Sequence, residues 1–167
     1  TAGYMPLGAM MVSEKIAQHF NEEALWCGLT QYGPYLCCAA ARAAIHFYER
    51  EHIGKNVKAR EEELKEMLRE LADEHDIIGE TRAIGLLAAI DLVKGRDDQS
   101  PLVPYRASGA ALKPVQLLQK ALREEGISTI VRYGMILLAP PLVISKDELK
   151  DGMMAVGRAL KKVKQGM

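Results

Sequence analysis

The feature that most constrains this chain is the order of its periodicities after residue 52. Leu64, Met67, Leu68 and Leu71 recur at i, i+3, i+4 and i+7 with charges between them, which predicts a helix over about 55–75. Ile77–Gly79 and the apolar run 85–93 then predict two strands, joined through Glu80–Ile84. Residues 94–109 are polar and carry Pro101 and Pro104, so they read as a surface loop. A further helix is expected from about Ala110 to Glu125, with Pro114 in its first turn and Gly126 as its C-terminal stop. Ile127–Arg132 and Met135–Ala139 predict two more strands around a Tyr133–Gly134 turn. Pro140 and Pro141 end the second of them, and Ser145 with Glu148 forms a capping box opening a last helix to about Val163. Helix, strand pair, helix, strand pair, helix is the order of an α+β layer: a small, mostly antiparallel sheet covered by helices on one face.

The first third reads differently. Gly3, Pro6 and Gly8 lead into an apolar run at 8–12 that predicts a strand, and Ser13 stands ready to cap a brief helix, SEKIAQHF. Residues 25–35 are punctuated by glycine and lack helical period, whereas LCCAAARAAIHFYEREH is an Ala-rich helix suited to close packing. Residues 1–35 hold too little apolar surface to fold alone, so they are expected to complete another domain, with Leu25, Trp26, Leu29 and Leu36 exposed when the chain stands by itself. The chain also opens at Thr1, which fits a piece of something longer.

Composition removes several classes of function. Apolar residues at 49% with no net charge argue against disorder, and a balance of 22 basic against 22 acidic residues argues against a nucleic-acid module. The longest uncharged stretch, 24–41, contains Gly28, Thr30, Gln31, Gly33 and Pro34 and lacks the apolar continuity of a membrane span. Cys27, Cys37 and Cys38 are odd in number and read as free thiols in a reducing cytoplasm, as small buried hydrophobes near a dimer interface. His19, His46, His52 and His75 show no metal-ligand spacing and are expected at the surface or on helix faces.

Four segments, in order, then carry a likeness. TAGYMPLGAMMVS, GLTQYGPYLCCAAARAAI, TRAIGLLAAIDLV and APPLVISKDEL together resemble the C-terminal part of a class III aminotransferase, a pyridoxal-phosphate enzyme of fold type I. The resemblance implies that residues 1–51 are the end of the large cofactor-binding domain with an interdomain helix, and that 52–167 form the small C-terminal α/β domain. It also implies a Schiff-base lysine just upstream of Thr1, so this chain alone holds no catalytic residue. Lys15 lies on the SEKIAQHF helix and reads as a solvated side chain.

The same resemblance suggests residue roles. Thr30 matches the threonine whose hydroxyl and N–H bind the cofactor phosphate of the other subunit of a homodimer, the plain alternative being a turn threonine that caps the next helix. Gly33 matches the glycine that brings backbone close to the phosphate, although Pro34 and Tyr35 stand where the family usually has His-Pro. Arg132, in VRYG, resembles the mobile arginine that grips a substrate carboxylate and swings out for amines, against the alternative of a solvated arginine at a strand end. Tyr4 and Met5 flank the position of the Schiff-base lysine and are expected at the pocket entrance. Leu137 stands where members acting on ornithine or α-amino dicarboxylates carry a fixed arginine, and Arg82 matches an arginine with a structural role. The implied activity is transfer of an amino group from an amine or ω-amino acid to an α-keto acid through pyridoxal 5'-phosphate. An aminomutase or epimerase of the same superfamily, or a non-catalytic interaction fragment, are the alternatives. No metal, nucleic acid or membrane partner is expected.

Overall fold

A computed structural model of the chain describes residues 1–28 and 30–166, and it divides into two units, Thr1–His52 and Ile53–Met167. The first unit holds two helices, α1 (Glu14–His19) and α2 (Tyr35–Arg50). Ser13 occupies the N-cap position of α1, but its side chain makes no capping hydrogen bond. The strand expected at 8–12 is absent. Its residues are exposed, and among the described residues of this unit no strand offers the backbone partner that an isolated extended segment needs. Cys37 is buried, Cys38 half-buried and Cys27 exposed in this chain, Cys27 lying in irregular chain outside α2.

The second unit is built from α3 (Ile53–Glu74), β1 (Ile78–Ile84), β2 (Leu87–Leu92), α4 (Lys113–Glu124), β3 (Ile130–Arg132), β4 (Met135–Leu138) and α5 (Lys146–Gly166), with a single 3-10 turn at Gly109–Leu112 ahead of α4. The sheet runs β1-β2-β4-β3 and every pairing is antiparallel. Glu80–Ile84, expected as a connection, is itself strand. Thr81 and Ala83 pair with Ile90 and Ala88 on the inner side, and the true turn is only Gly85–Leu86. Gly85 sits at φ +56°, the sign a two-residue hairpin turn requires at its first position. β3 starts at Ile130, three residues later than expected, because Ile127 completes the end of α4 instead. There the Gly126 N–H donates to the Arg123 carbonyl and the Ile127 N–H to that of Leu122, with Gly126 at φ +80°. That is the Schellman closure a C-terminal glycine allows.

One face of the sheet is buried and the other open. Ala88, Ile90 and Leu92 of β2, Val131 of β3, and Ile136 and Leu138 of β4 point inward, where Leu64 and Leu68 of α3, Leu118 and Leu122 of α4, and Val156 and Leu160 of α5 cover them. Burying one such aliphatic side chain contributes about 1.5–3 kcal/mol, against about 0–1 kcal/mol for an exposed ion pair. The core therefore holds this unit, and its many surface pairs only trim it. The expected capping box forms at α5: the Ser145 backbone N–H and hydroxyl both donate to Glu148 Oε2, at 2.9 and 2.7 Å, and the Glu148 N–H reaches back to Ser145 Oγ at 3.3 Å.

His75 overturns the surface expectation. It closes α3 through its N–H to Leu71 and is only 4% exposed, because Gly157 of α5 lets that helix come close enough to cover it. A Cβ at Gly157 would sit 3.1 Å from Leu71 Cδ1 and 3.7 Å from His75 Nε2.

Candidate functional site

In the first unit, Thr30 and Gly33 lie in the turn that leads into α2. Both are exposed, and Gly33 is left-handed at φ +63° with open space where a Cβ would project. Pro34 is the N-cap of α2 and has no side chain able to cap it. The first backbone donation into the helix is Cys38 N–H to Pro34 O, so the N–H groups of Tyr35, Leu36 and Cys37 lack a helical partner. Among the described residues, the start of this 16-residue helix leaves three N–H groups without a helical partner, and Thr30 and Gly33 lie in the turn just before it. Tyr4 is exposed in a turn whose N–H donates to Thr1 O, and Thr1 Oγ1 donates to Met5 O. Lys15 is exposed on α1. Leu25 and Leu36 are exposed and Trp26 is 96% exposed, while Leu29 lies outside the described residues.

In the second unit, Arg132 ends β3 on the open face of the sheet. Its partner in register is Met135, which pairs with Asp91, which in turn pairs with Glu80, so these four side chains form a row across all four strands. The next row is Ile130, Leu137, Ala89 and Arg82. Arg82 Nη1 lies 2.6 Å from Asp91 and 2.9 Å from Glu80, and these carboxylates, Asp91 first, hold its guanidinium still more firmly in the charged form. Arg132 lies instead over the ring of Tyr133, with Cζ 5.2 Å from the centroid. Tyr105, from the loop before α4, tilts against Tyr133 with ring centroids 5.1 Å apart.

Arg132, Tyr133 and Tyr105 line a depression of about 630 Å³ together with Glu80 and Asp91. A second groove, about 470 Å³ beside α5, is lined mainly by apolar groups such as Ile130, Leu137 and Met153, and the carboxylate of Glu148 at its rim is already taken by the helix cap. A third groove, about 660 Å³ between α3 and α5, is lined by Glu63, Glu70, Lys146 and Lys161 among others, so Arg132 is one candidate on this unit. The sequence points to Arg132 and Arg82 as candidates, and neither Tyr105 nor the Tyr133 ring stands out in it. The available signal was a tyrosine ahead of glycine in a two-residue turn, where Asn or Asp is the common choice. Among the described residues no group of three or more side chains could hold a metal ion, and no helix is long and apolar enough to cross a membrane.

Comparison with known proteins follows the same lines. The aminotransferase class-III family profile matches residues 1–160. An adenosylmethionine-8-amino-7-oxononanoate aminotransferase of Methanocaldococcus jannaschii is 30% identical over 155 residues, 89% of this chain and 32% of that protein. A gamma aminobutyrate transaminase of Solanum lycopersicum is 28% identical over 96% of this chain and 35% of its own length. Among solved structures, a taurine:2-oxoglutarate aminotransferase from Bifidobacterium kashiwanohense, in complex with PLP and glutamate, superposes with a TM-score of 0.86 at 33% identity. That match covers 98% of this chain and 36% of the other. The chain thus spans about a third of the length of the proteins it matches.

Proposed function

Because this chain belongs to the class-III aminotransferase family, we propose that it forms the C-terminal part of a transaminase that moves an amino group from an amine or ω-amino acid to an α-keto acid, with pyridoxal 5'-phosphate as cofactor. When bound, that cofactor supplies the electron sink for the reaction. The residues present fit its phosphate. A dianion wants several short donors, and the Thr30 hydroxyl with the uncapped start of α2 supplies them, Gly33 leaving the approach open. The exposure of Leu25, Trp26 and Leu36 supports a parent in which this segment is covered, and a homodimer that shares its cofactor sites across subunits would cover it. In this reading the Schiff-base lysine precedes Thr1, residues 1–51 end the large domain, and 52–167 are the small domain. The three free cysteines fit a cytoplasmic setting.

The observation that carries the substrate reading is the contrast between Arg132 and Leu137 on the open sheet face. Arg132 offers an exposed guanidinium whose neighbour is an aromatic ring, free to receive a carboxylate in a bidentate pair. Leu137 offers no charge, so the face holds no fixed clamp for a second carboxylate. Tyr4 is assigned to the pocket entrance. Relatives named for gamma aminobutyrate and taurine, both substrates with the amine remote from the acid group, support the same choice.

The test is a donor panel on the full-length protein with a keto-acid acceptor. Turnover of ω-amino acids and simple amines, with poor use of ornithine and α-amino dicarboxylates, is expected. Isomerisation or epimerisation of a single amino acid without any keto acid would instead assign the parent to the aminomutases or epimerases, and no turnover of any donor would leave an interaction role.

A further inference from the structure

Tyr133 is an unusual residue for its position. It opens the two-residue turn between β3 and β4 at φ +50°, followed by Gly134 at +83°, where such turns favour Asn or Asp ahead of Gly. Bulky side chains rarely accept that backbone conformation, and outliers of this kind cluster where the side chain has a task. The surroundings of the ring indicate the task. Glu80 and Asp91, the carboxylates lining the same depression, are both engaged by Arg82. The Arg132 guanidinium rests on the Tyr133 face, and the Tyr105 ring meets Tyr133 at an interplanar angle of 59°.

We propose that Tyr133, braced by Tyr105, is a positioning residue: its ring parks the Arg132 guanidinium when no carboxylate is bound. It thereby sets the balance between carboxylate-bearing and carboxylate-free substrates. The inference rests on the reading of Arg132 as the carboxylate-binding group. A cation–π contact at a wet site biases a population by about two- to five-fold, enough to hold the side chain aside and weak enough to yield to a charge-assisted pair. A guanidinium that is available only part of the time lowers apparent carboxylate affinity by that fraction. Removing the ring should tighten binding of a dicarboxylate. It should also let the guanidinium stray into the path of an apolar amine.

The experiment compares Tyr133→Asn and Tyr133→Phe in the full-length holoenzyme. Asn suits the turn better than Tyr, so the fold is kept, and Phe keeps the ring. Glutarate, a dicarboxylate with no reactive carbonyl, is titrated by calorimetry, and KM and kcat are measured for a benzylic amine. Tyr133→Asn should tighten glutarate by about two- to five-fold and raise the amine KM by a similar factor with kcat nearly unchanged. Tyr133→Phe should match the parent, and Tyr133→Asn should have no effect in an Arg132→Ala background. Unchanged or weaker glutarate binding in Tyr133→Asn, with binding still lost in Arg132→Ala, overturns the parking role and leaves the substrate reading standing. Glutarate binding that survives Arg132→Ala overturns both.

Discussion

The Arg82 guanidinium reaches diagonally across the β1–β2 pair to Asp91, 2.6 Å away, although its partner in register is Ala89. The same guanidinium holds Glu80 at 2.9 Å, so one cation neutralises two carboxylates on the open face of the sheet. Both members of the Arg82–Asp91 pair are more than a third exposed, so the contact is worth little to stability. Arg82→Leu should lower the unfolding free energy by no more than about 1 kcal/mol, measured by urea denaturation. A loss several times larger would show that Arg82 has a further partner in the parent protein.

Thr30→Ala in the full-length protein should weaken cofactor retention by about 1–3 kcal/mol, the loss for one donor to a charged group. Equilibrium dialysis of the cofactor reads this directly, independent of turnover. Unchanged retention would make Thr30 an ordinary turn residue before α2.

Arg132→Ala should reduce kcat/KM for a dicarboxylic keto acid or an ω-amino acid by about 2–4 kcal/mol of transition-state binding, the range for truncating one partner of a buried charge pair. The half-reaction with a simple amine should change far less. Equal losses with both substrate classes would make Arg132 a residue of the fold rather than of the substrate.

His75 is buried where α3 meets α5, and burial is the main cause that pushes its pKa below the usual 6.5, with Lys161 adding to the effect. The groups around it are Lys161 and Lys164 from α5 and Glu74 and Asp76 flanking it in the chain. A histidine that binds its proton less readily in the folded state leaves stability intact above about pH 6.5 and erodes it as pH falls through that value. Asp76, Glu125 and Glu148 are carboxylates held below their usual range, chiefly by hydrogen bonds from Lys164, Lys162 and Ser145, and their contribution is lost only at lower pH, below about 4.5. Denaturation midpoints measured between about pH 7.5 and 5 should therefore fall, and His75→Leu should flatten that slope. An unchanged slope in the variant would assign it to other groups.

Ser145→Ala should destabilise the chain by about 1 kcal/mol through loss of the α5 cap, read as a shift in the denaturation midpoint. Ser145→Asp, which keeps an oxygen for the first turn, should restore most of the loss.

The helices and their ends were legible because their signals are local. The i, i+4, i+7 spacing of Leu64, Leu68 and Leu71, the Gly126 stop and the Ser145 box each need only neighbours in sequence. Glu80–Ile84 reads as a connection from sequence because a strand with one open face alternates Glu, Arg and Ile outward, and that pattern looks polar. Residues 8–12 were misread for the converse reason: apolar content alone does not supply a pairing partner. His75 lies inside because Gly157, 82 residues later, makes room for it, which no local pattern announces. Of the candidate site, Arg132 and Arg82 were readable from motif and position. Tyr105 was not, because it reaches Tyr133 from a loop whose path depends on the whole sheet.

The strand order has one more consequence. β4 lies between β2 and β3, so Ile90 meets Ile136 only after the whole intervening segment has closed. Closing a loop of roughly 45 residues costs about 3 kcal/mol of chain entropy, whereas β1–β2 and β3–β4 each close across two residues. Folding of this unit should therefore be a meeting of two ready-made hairpins rather than a zip from one end. The hairpin bearing Arg132 would then be shaped before it is anchored, so a slower turn at Tyr133–Gly134 would delay the entire unit.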